Sequence, residues 1–202
     1  MLRRKLLALL PAALLAQVPL AMAQHADLGT EAETAAPEQR RFMMEDTYGN
    51  VVTNEDLLGH FALIYFGYTG CPDVCPTSLS TMADVMVALG AEAERVKPVF
   101  VTVDPDRDTA RLLRDYVAFF DERIIALRGP RAYTDHMVKT FNARYEVHVP
   151  DPATPQIYSI DHTASIAFLG PDGVMIQRFP HGLTPDQIVP EIRAAIAAVP
   201  AQ

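Results

Sequence analysis

The chain of 202 residues contains two cysteines, and both fall in one decapeptide, Gly67-Tyr68-Thr69-Gly70-Cys71-Pro72-Asp73-Val74-Cys75-Pro76. In the loop-entropy picture a disulfide gains most from closing a long segment, and three intervening residues close almost none. The pair is therefore read as chemical rather than structural, with an inert small-loop disulfide as the plain alternative. Each cysteine precedes a proline, which biases both away from the right-handed helical region. Pro76 suits the first position of a following helix, where a missing N–H is not needed, so Cys75 is expected near the N-cap and Cys71 in the loop before it. Unpaired N–H groups and the positive end of a helix dipole favour thiolate there. Thiolate attacks disulfides and binds metal, and the spacing lets two sulfurs bridge or clamp one soft ion. Copper(I) is the first choice for such ligands, although zinc also accepts them.

Other side chains carry weaker signals. His162, between Asp161 and Thr163, stands beside a strand end that can share a sheet edge with the cysteine loop; its residue type alone does not make it a ligand. His25 falls in a polar stretch, His60 and His181 in loops, and His136 and His148 near a helix, so ordinary surface or core roles are expected. Met82 and Met86 are four apart on a helix, but Leu79, Val85 and Leu89 share that spacing, which favours core packing over thioether ligation. Asp104, Arg107 and Asp108, with Pro105 among them, suit a salt-bridged turn that orders a loop, or a partner surface.

The elements around these residues follow from hydrophobic pattern. Residues 61–66 form a continuous apolar run of strand length, as in a strand buried on both faces, and lead into the cysteine loop. Beyond it Leu79, Met82, Val85, Met86 and Leu89 recur at helical spacing up to Gly90. Residues 97–103 suit a second buried strand, 109–120 a helix with Leu112, Leu113, Tyr116 and Phe119 inward, 124–127 a short strand and 133–143 a helix. Residues 149–156, with three prolines, read as a loop. Strands at 163–169 and 174–179 flank Gly170-Pro171-Asp172-Gly173, a hairpin turn, and Thr184-Pro185 opens a helix to about Ala198. Ahead of all these, residues 42–46 and 51–53 flank Tyr48-Gly49-Asn50 as a small hairpin. This order predicts an α/β domain with a central mixed β-sheet flanked by helices, on a thioredoxin-like plan with an N-terminal β-hairpin addition.

Residues 1–23 read as a signal peptide: Arg3, Arg4 and Lys5, then an apolar stretch broken by Pro11, Gln17 and Pro19, then Ala21-Met22-Ala23 as a cleavage site. Cleavage would leave Gln24 first, a flexible tether at 24–40 and one domain at 41–202, which fits export to the periplasm of a bacterial source. An uncleaved leader would instead anchor the chain to a membrane. Without those three basic residues, 14 of the chain's 17 remain against 25 acidic ones, a net charge of −11. That balance excludes nucleic acid as an expected partner.

The cysteine decapeptide resembles the defining motif of the Sco/SenC family, copper proteins associated with assembly of cytochrome c oxidase. Three blocks extend the resemblance in order: Tyr65-Phe66-Gly67-Tyr68-Thr69, Val103-Asp104-Pro105-Asp106-Arg107-Asp108-Thr109, and Asp161-His162-Thr163 ahead of Pro171-Asp172-Gly173. Together they span roughly residues 42–198. The resemblance implies copper(I) and copper(II) as the bound metal, Cys71 and Cys75 as thiolate ligands and His162 as the imidazole ligand. It implies a metallochaperone for the dinuclear copper site of cytochrome c oxidase, with that copper-site subunit, another copper chaperone or a thiol reductase as partner. The alternative is a thiol-disulfide oxidoreductase in which Cys71 and Cys75 form the redox-active pair and keep a partner's copper-site cysteines reduced. A peroxidase would need a Pro-x-x-x-Thr-x-x-Cys setting, which is absent. The chain departs from the family at Gly70, where members often carry a His or an aromatic residue, and in its apparently cleavable leader.

Overall fold

The computed structural model describes residues 40–199; the expected signal peptide and all of the tether but Arg40 lie outside the described residues. The elements run β1 (Met43–Asp46), β2 (Val51–Thr53), β3 (Phe61–Gly67), α1 (Val74–Leu89), β4 (Val96–Thr102), α2 (Ala110–Ala118) and β5 (Ile125–Arg128). They continue with α3 (Arg131–Thr140), β6 (Tyr145–His148), β7 (Ser159–His162), β8 (Ile166–Leu169), β9 (Met175–Phe179) and α4 (Pro185–Ala198). Every residue of β3 is buried, as its unbroken apolar run requires of a strand covered on both faces. β3 pairs parallel with β4 and antiparallel with β8, and β4 pairs parallel with β5. The seven-stranded order is β2-β1-β5-β4-β3-β8-β9. The sheet is thus mixed and flanked by helices, the thioredoxin-like plan expected, with the β1–β2 hairpin added at one edge through β5.

Aromatic packing fixes β3 at both ends, through Phe61 at its start and through Phe66 at the end that leads into the cysteine loop. Phe61 stacks on Phe168 at 5.7 Å and Phe168 on Phe179 at 5.6 Å, which locks β3 to β8 and β9. Met82 and Met86 are fully buried with Leu79, Val85 and Leu89, so core packing is their role. On the other side of the core, Phe66 meets Phe141 edge-on at 5.6 Å.

Three expectations need correction. α1 starts at Val74 with Asp73 as N-cap, so Cys75 and Pro76 are its second and third residues and Cys75 is helical despite preceding a proline. The first four N–H groups of a helix have no intrahelical partner, so a proline anywhere in that turn forfeits no bond. In α2 the inward side chains are Leu113 and Val117, while Leu112 is 45% and Phe119 84% exposed. Leu113 and Val117 are four apart on one stripe, Leu112 is turned about 100° from it, and Phe119 lies past the last helical residue.

The strand expected at 163–169 is shorter, β8, and a separate two-stranded ribbon precedes it: β7 pairs antiparallel with β6, in the register Tyr145↔His162 to His148↔Ser159. His148 therefore stands on a strand, where its Nε2 lies 3.0 Å from Asp161. β6 has an outward, mostly exposed surface, so its sequence lacks the alternation that marks a half-buried strand.

Candidate metal centre

The loop that carries Cys71 is pinned at its start. Asp108, 1% exposed, accepts from the Thr69 N–H at 3.2 Å, the Thr69 hydroxyl at 2.6 Å and the Thr102 hydroxyl at 2.5 Å. Burial pushes the Asp108 carboxyl up while these three donors pull it down. The motif from Asp104 to Asp108 is thus a loop-ordering device, as expected, and it reaches across from the end of β4 to the end of β3.

Cys71 is 9% exposed and Cys75 fully buried; both are free thiols. The Cys75 N–H donates to Cys71 Sγ at 3.4 Å, and the Asp73 side chain makes no cap bond. Cys71 sulfur therefore takes a free N–H at the helix start, the contact expected for this pair. Cys75 behaves differently: burial, the dominant influence, pushes its thiol well above the ordinary range, and the neighbouring Cys71 adds to the rise. The expectation that helix-start N–H groups leave Cys75 a thiolate is overturned by desolvation.

His162, at the end of β7, brings Nε2 within 3.2 Å of Cys75 Sγ. Its Nδ1 lies 3.3 Å from the Thr163 carbonyl oxygen. A carbonyl only accepts, so Nδ1 carries the proton and Nε2 presents a lone pair to the sulfurs. Burial lowers the pKa of His162, which keeps the ring neutral at pH 7, the state that binds metal. The ligand atoms of Cys71, Cys75 and His162 all lie within 4.8 Å of one another. Two soft sulfurs and one imidazole nitrogen, half sheltered from water, fit copper in either oxidation state.

Two aromatic residues that sequence reasoning did not single out as part of the site complete its wall. Tyr65 and Tyr68 each meet the His162 ring edge-on at 5.9 Å, and the Tyr68 hydroxyl accepts from the Ile160 N–H at 3.2 Å. Their places, at the end of β3 and just beyond, were visible in the sequence; the partner ring was not. Gly67 is forced by proximity: a Cβ there would sit 2.8 Å from Cys75 Sγ and 2.9 Å from Phe100 Cε2. Gly70 is under no such constraint, since a Cβ would meet only the Tyr68 ring at 3.5 Å and Arg107 at 4.0 Å. Beside His162 a cavity of about 670 Å³ opens between Asp135, Lys139, Arg144, Glu146 and Asp161.

Among the described residues, no other histidine joins this group of donor atoms. His60 lies against the Leu58 carbonyl at 3.4 Å, His181 against Ser78 Oγ at 3.0 Å, and His136 on α3; His25 is outside the described residues.

A protein-family model described as SCO1/SenC matches residues 30–197. The mitochondrial SCO2 homolog of Mus musculus is 36% identical over 166 residues, an alignment that covers 81% of this chain and 64% of that protein. The chain therefore spans under two thirds of that relative's length. Among solved structures, ScoI of Bradyrhizobium japonicum with copper bound matches with a TM-score of 0.69 and 33% identity, over 77% of this chain and 97% of that one. BsSco, described as having a disulfide switch and as a member of the Sco family of cytochrome c oxidase assembly proteins, matches with a TM-score of 0.60 and 25% identity. That match covers 79% of this chain and 93% of the other.

Proposed function

Because this chain belongs to the SCO1/SenC family of copper-binding proteins, we propose that it is a periplasmic metallochaperone that carries copper as cargo to the dinuclear copper site of cytochrome c oxidase. Cys71, Cys75 and His162 form a three-coordinate site for copper(I), and copper(II) adds a further weak ligand or water and depends more on the imidazole. The observation that carries this reading is the convergence of three donor atoms from two elements and a loop within 4.8 Å. Titration of the reduced chain and of His162→Ala with each oxidation state tests it. Loss of an outer partner of a metal ligand typically costs ~10–100-fold in affinity, so loss of the imidazole itself should weaken copper(II) by at least that much. A His162→Ala variant that binds both oxidation states like the parent sinks the reading.

The location rests on the leader, Ala21-Met22-Ala23 after a proline-broken apolar stretch, ahead of the tether at 24–40 and the domain at 41–202. Intact mass of the protein from its native host should give Gln24 as first residue; a species that keeps Met1 would make this an anchored protein.

A second reading draws on the unequal exposure of the two thiols. Cys71, the more accessible, would attack a partner disulfide as thiolate, Cys75 would resolve the mixed disulfide, and the partner would leave as a dithiol while Cys71 and Cys75 become a disulfide. Two electrons pass from this pair to the partner. That reaction has no use for His162, so His162→Ala with full disulfide exchange and parental copper binding would favour it.

A further inference from the structure

β7 is not part of the seven-stranded sheet; among the described residues its only strand partner is β6. The loop that joins the two strands, between His148 and Ser159, holds Pro150, Pro152 and Pro155 and no regular element. Something else must press His162 toward the sulfurs. The contacts that do so reach the backbone at two points, at Tyr158 just ahead of β7 and at Ile160 within it, four and two residues before His162. Arg107 Nη1 donates to the Tyr158 carbonyl at 3.0 Å, and the Tyr68 hydroxyl accepts from the Ile160 N–H at 3.2 Å. Ile160 and His162 share one face of the strand, and Ile160 is buried, so a bond at Ile160 sets the direction in which His162 projects.

Arg107 is oriented for this contact. Its guanidinium carbon lies 3.5 Å from the centre of the Tyr158 ring and 5.7 Å from that of Tyr68. Asp104, 1% exposed, takes the Arg107 Nε–H on Oδ2 and the Tyr158 hydroxyl on Oδ1 at 2.6 Å. One buried carboxylate thus grips both layers of the stack. Arg107 Nη2 is buried without a hydrogen-bond partner among the described residues.

We propose that Arg107 is a positioning residue for copper: clamped by Asp104 and stacked on Tyr158, it holds β7 and thereby His162 at bonding distance from Cys71 and Cys75. This rests on His162 being a ligand. Arg107 itself does not touch the metal. A lysine keeps a charge against Asp104 but has no planar group to stack while donating to a carbonyl. Imidazole suits copper(II) better than copper(I), so the clamp acts most on copper(II).

The test uses the full chain, reduced and loaded with copper(I) or copper(II), in the parent, Arg107→Lys, Tyr158→Leu, His162→Ala and the double variant Arg107→Lys/His162→Ala. Tyr158→Leu removes the stack from the other side, so the measurement survives poor folding of either single variant. Arg107→Lys should lose ~10–100-fold in copper(II) affinity, the scale for groups that orient a metal ligand, with a smaller loss in copper(I) affinity. Nitrogen hyperfine structure in the copper(II) paramagnetic resonance spectrum should weaken in Arg107→Lys and Tyr158→Leu and vanish in His162→Ala. The double variant should bind copper(II) no more weakly than His162→Ala alone, because both changes act through one bond. Arg107→Lys with parental affinity and spectrum, or losses that add in the double variant, would overturn the clamp while leaving His162 as ligand. Parental binding by His162→Ala would remove the ligand assignment itself, and the clamp with it.

Discussion

Cys75→Ala should cost the reduced protein more than ~100-fold in copper(I) affinity, since that figure is the upper range for merely orienting groups and here a soft ligand itself is lost. Alanine is the informative replacement, because a serine would leave a hydroxyl in the fully buried Cys75 site with a desolvation cost unrelated to copper. Removing one sulfur from a packed interior costs on the order of 1 kcal/mol, so the variant should stay folded. The pH profile gives a second readout. Burial raises the Cys75 pKa, so at neutral pH each copper(I) ion must displace a proton from that sulfur, and affinity should rise with pH. Because the shift is upward, the rise should continue above about pH 9, where an ordinary thiol near 8.5 has already lost its proton. In Cys75→Ala that part of the slope should disappear. Competition against a copper(I) chelator from acid to alkaline pH measures both effects. A parental affinity in the variant, or a parental slope, would exclude Cys75 as a ligand.

Gly67→Ala should lower stability by about 1–3 kcal/mol, the range for an added methyl in a close-packed interior. The new Cβ would come within 3.0 Å of Cys75 Sγ and Phe100 Cε2 and 3.1 Å of Tyr65 Cε1, and all three residues are fully buried. None can retreat into solvent. For a domain of this size each kcal/mol lowers Tm by roughly 2–4 °C, so a drop of about 2–12 °C is expected in thermal unfolding of the reduced, copper-free chain. The sulfur is the shortest side chain of the three and its displacement should also weaken copper(I). An unchanged Tm would mean that the strand end relaxes, and that glycine there is not required by packing.

How far the sequence led depended on whether a residue's partners were near it in the chain. The buried strands and α1 were readable because β3 is apolar throughout and Leu79, Met82, Val85, Met86 and Leu89 keep one helical stripe. The two sulfurs were readable because their spacing is local. His162 entered through the family resemblance, and its support was hidden: the strand that pairs with β7 is Tyr145-Glu146-Val147-His148, three of whose four residues are exposed, so no hydrophobic period announces it. The state of Cys75 is set by burial, which outweighs the helix-start donors, and a sequence shows the helix start but not the depth of burial. Tyr65, Tyr68 and Tyr158 could be seen only as aromatic residues, since their ring partners lie up to 97 positions away, as for Tyr65 and His162.

The division of ligands between α1 with its loop and the β6–β7 ribbon bears on the order in which bonds to the cargo break. α1 is bound into the core, whereas a two-stranded ribbon with an exposed outer strand opens locally at much lower free energy. On the proposed chaperone role, the imidazole would be the first arm to let go, on the side of the cavity between Asp135, Lys139, Arg144, Glu146 and Asp161. An acceptor's donor atom arriving through that opening would meet an ion still held by two sulfurs, so that release would proceed by ligand exchange in steps.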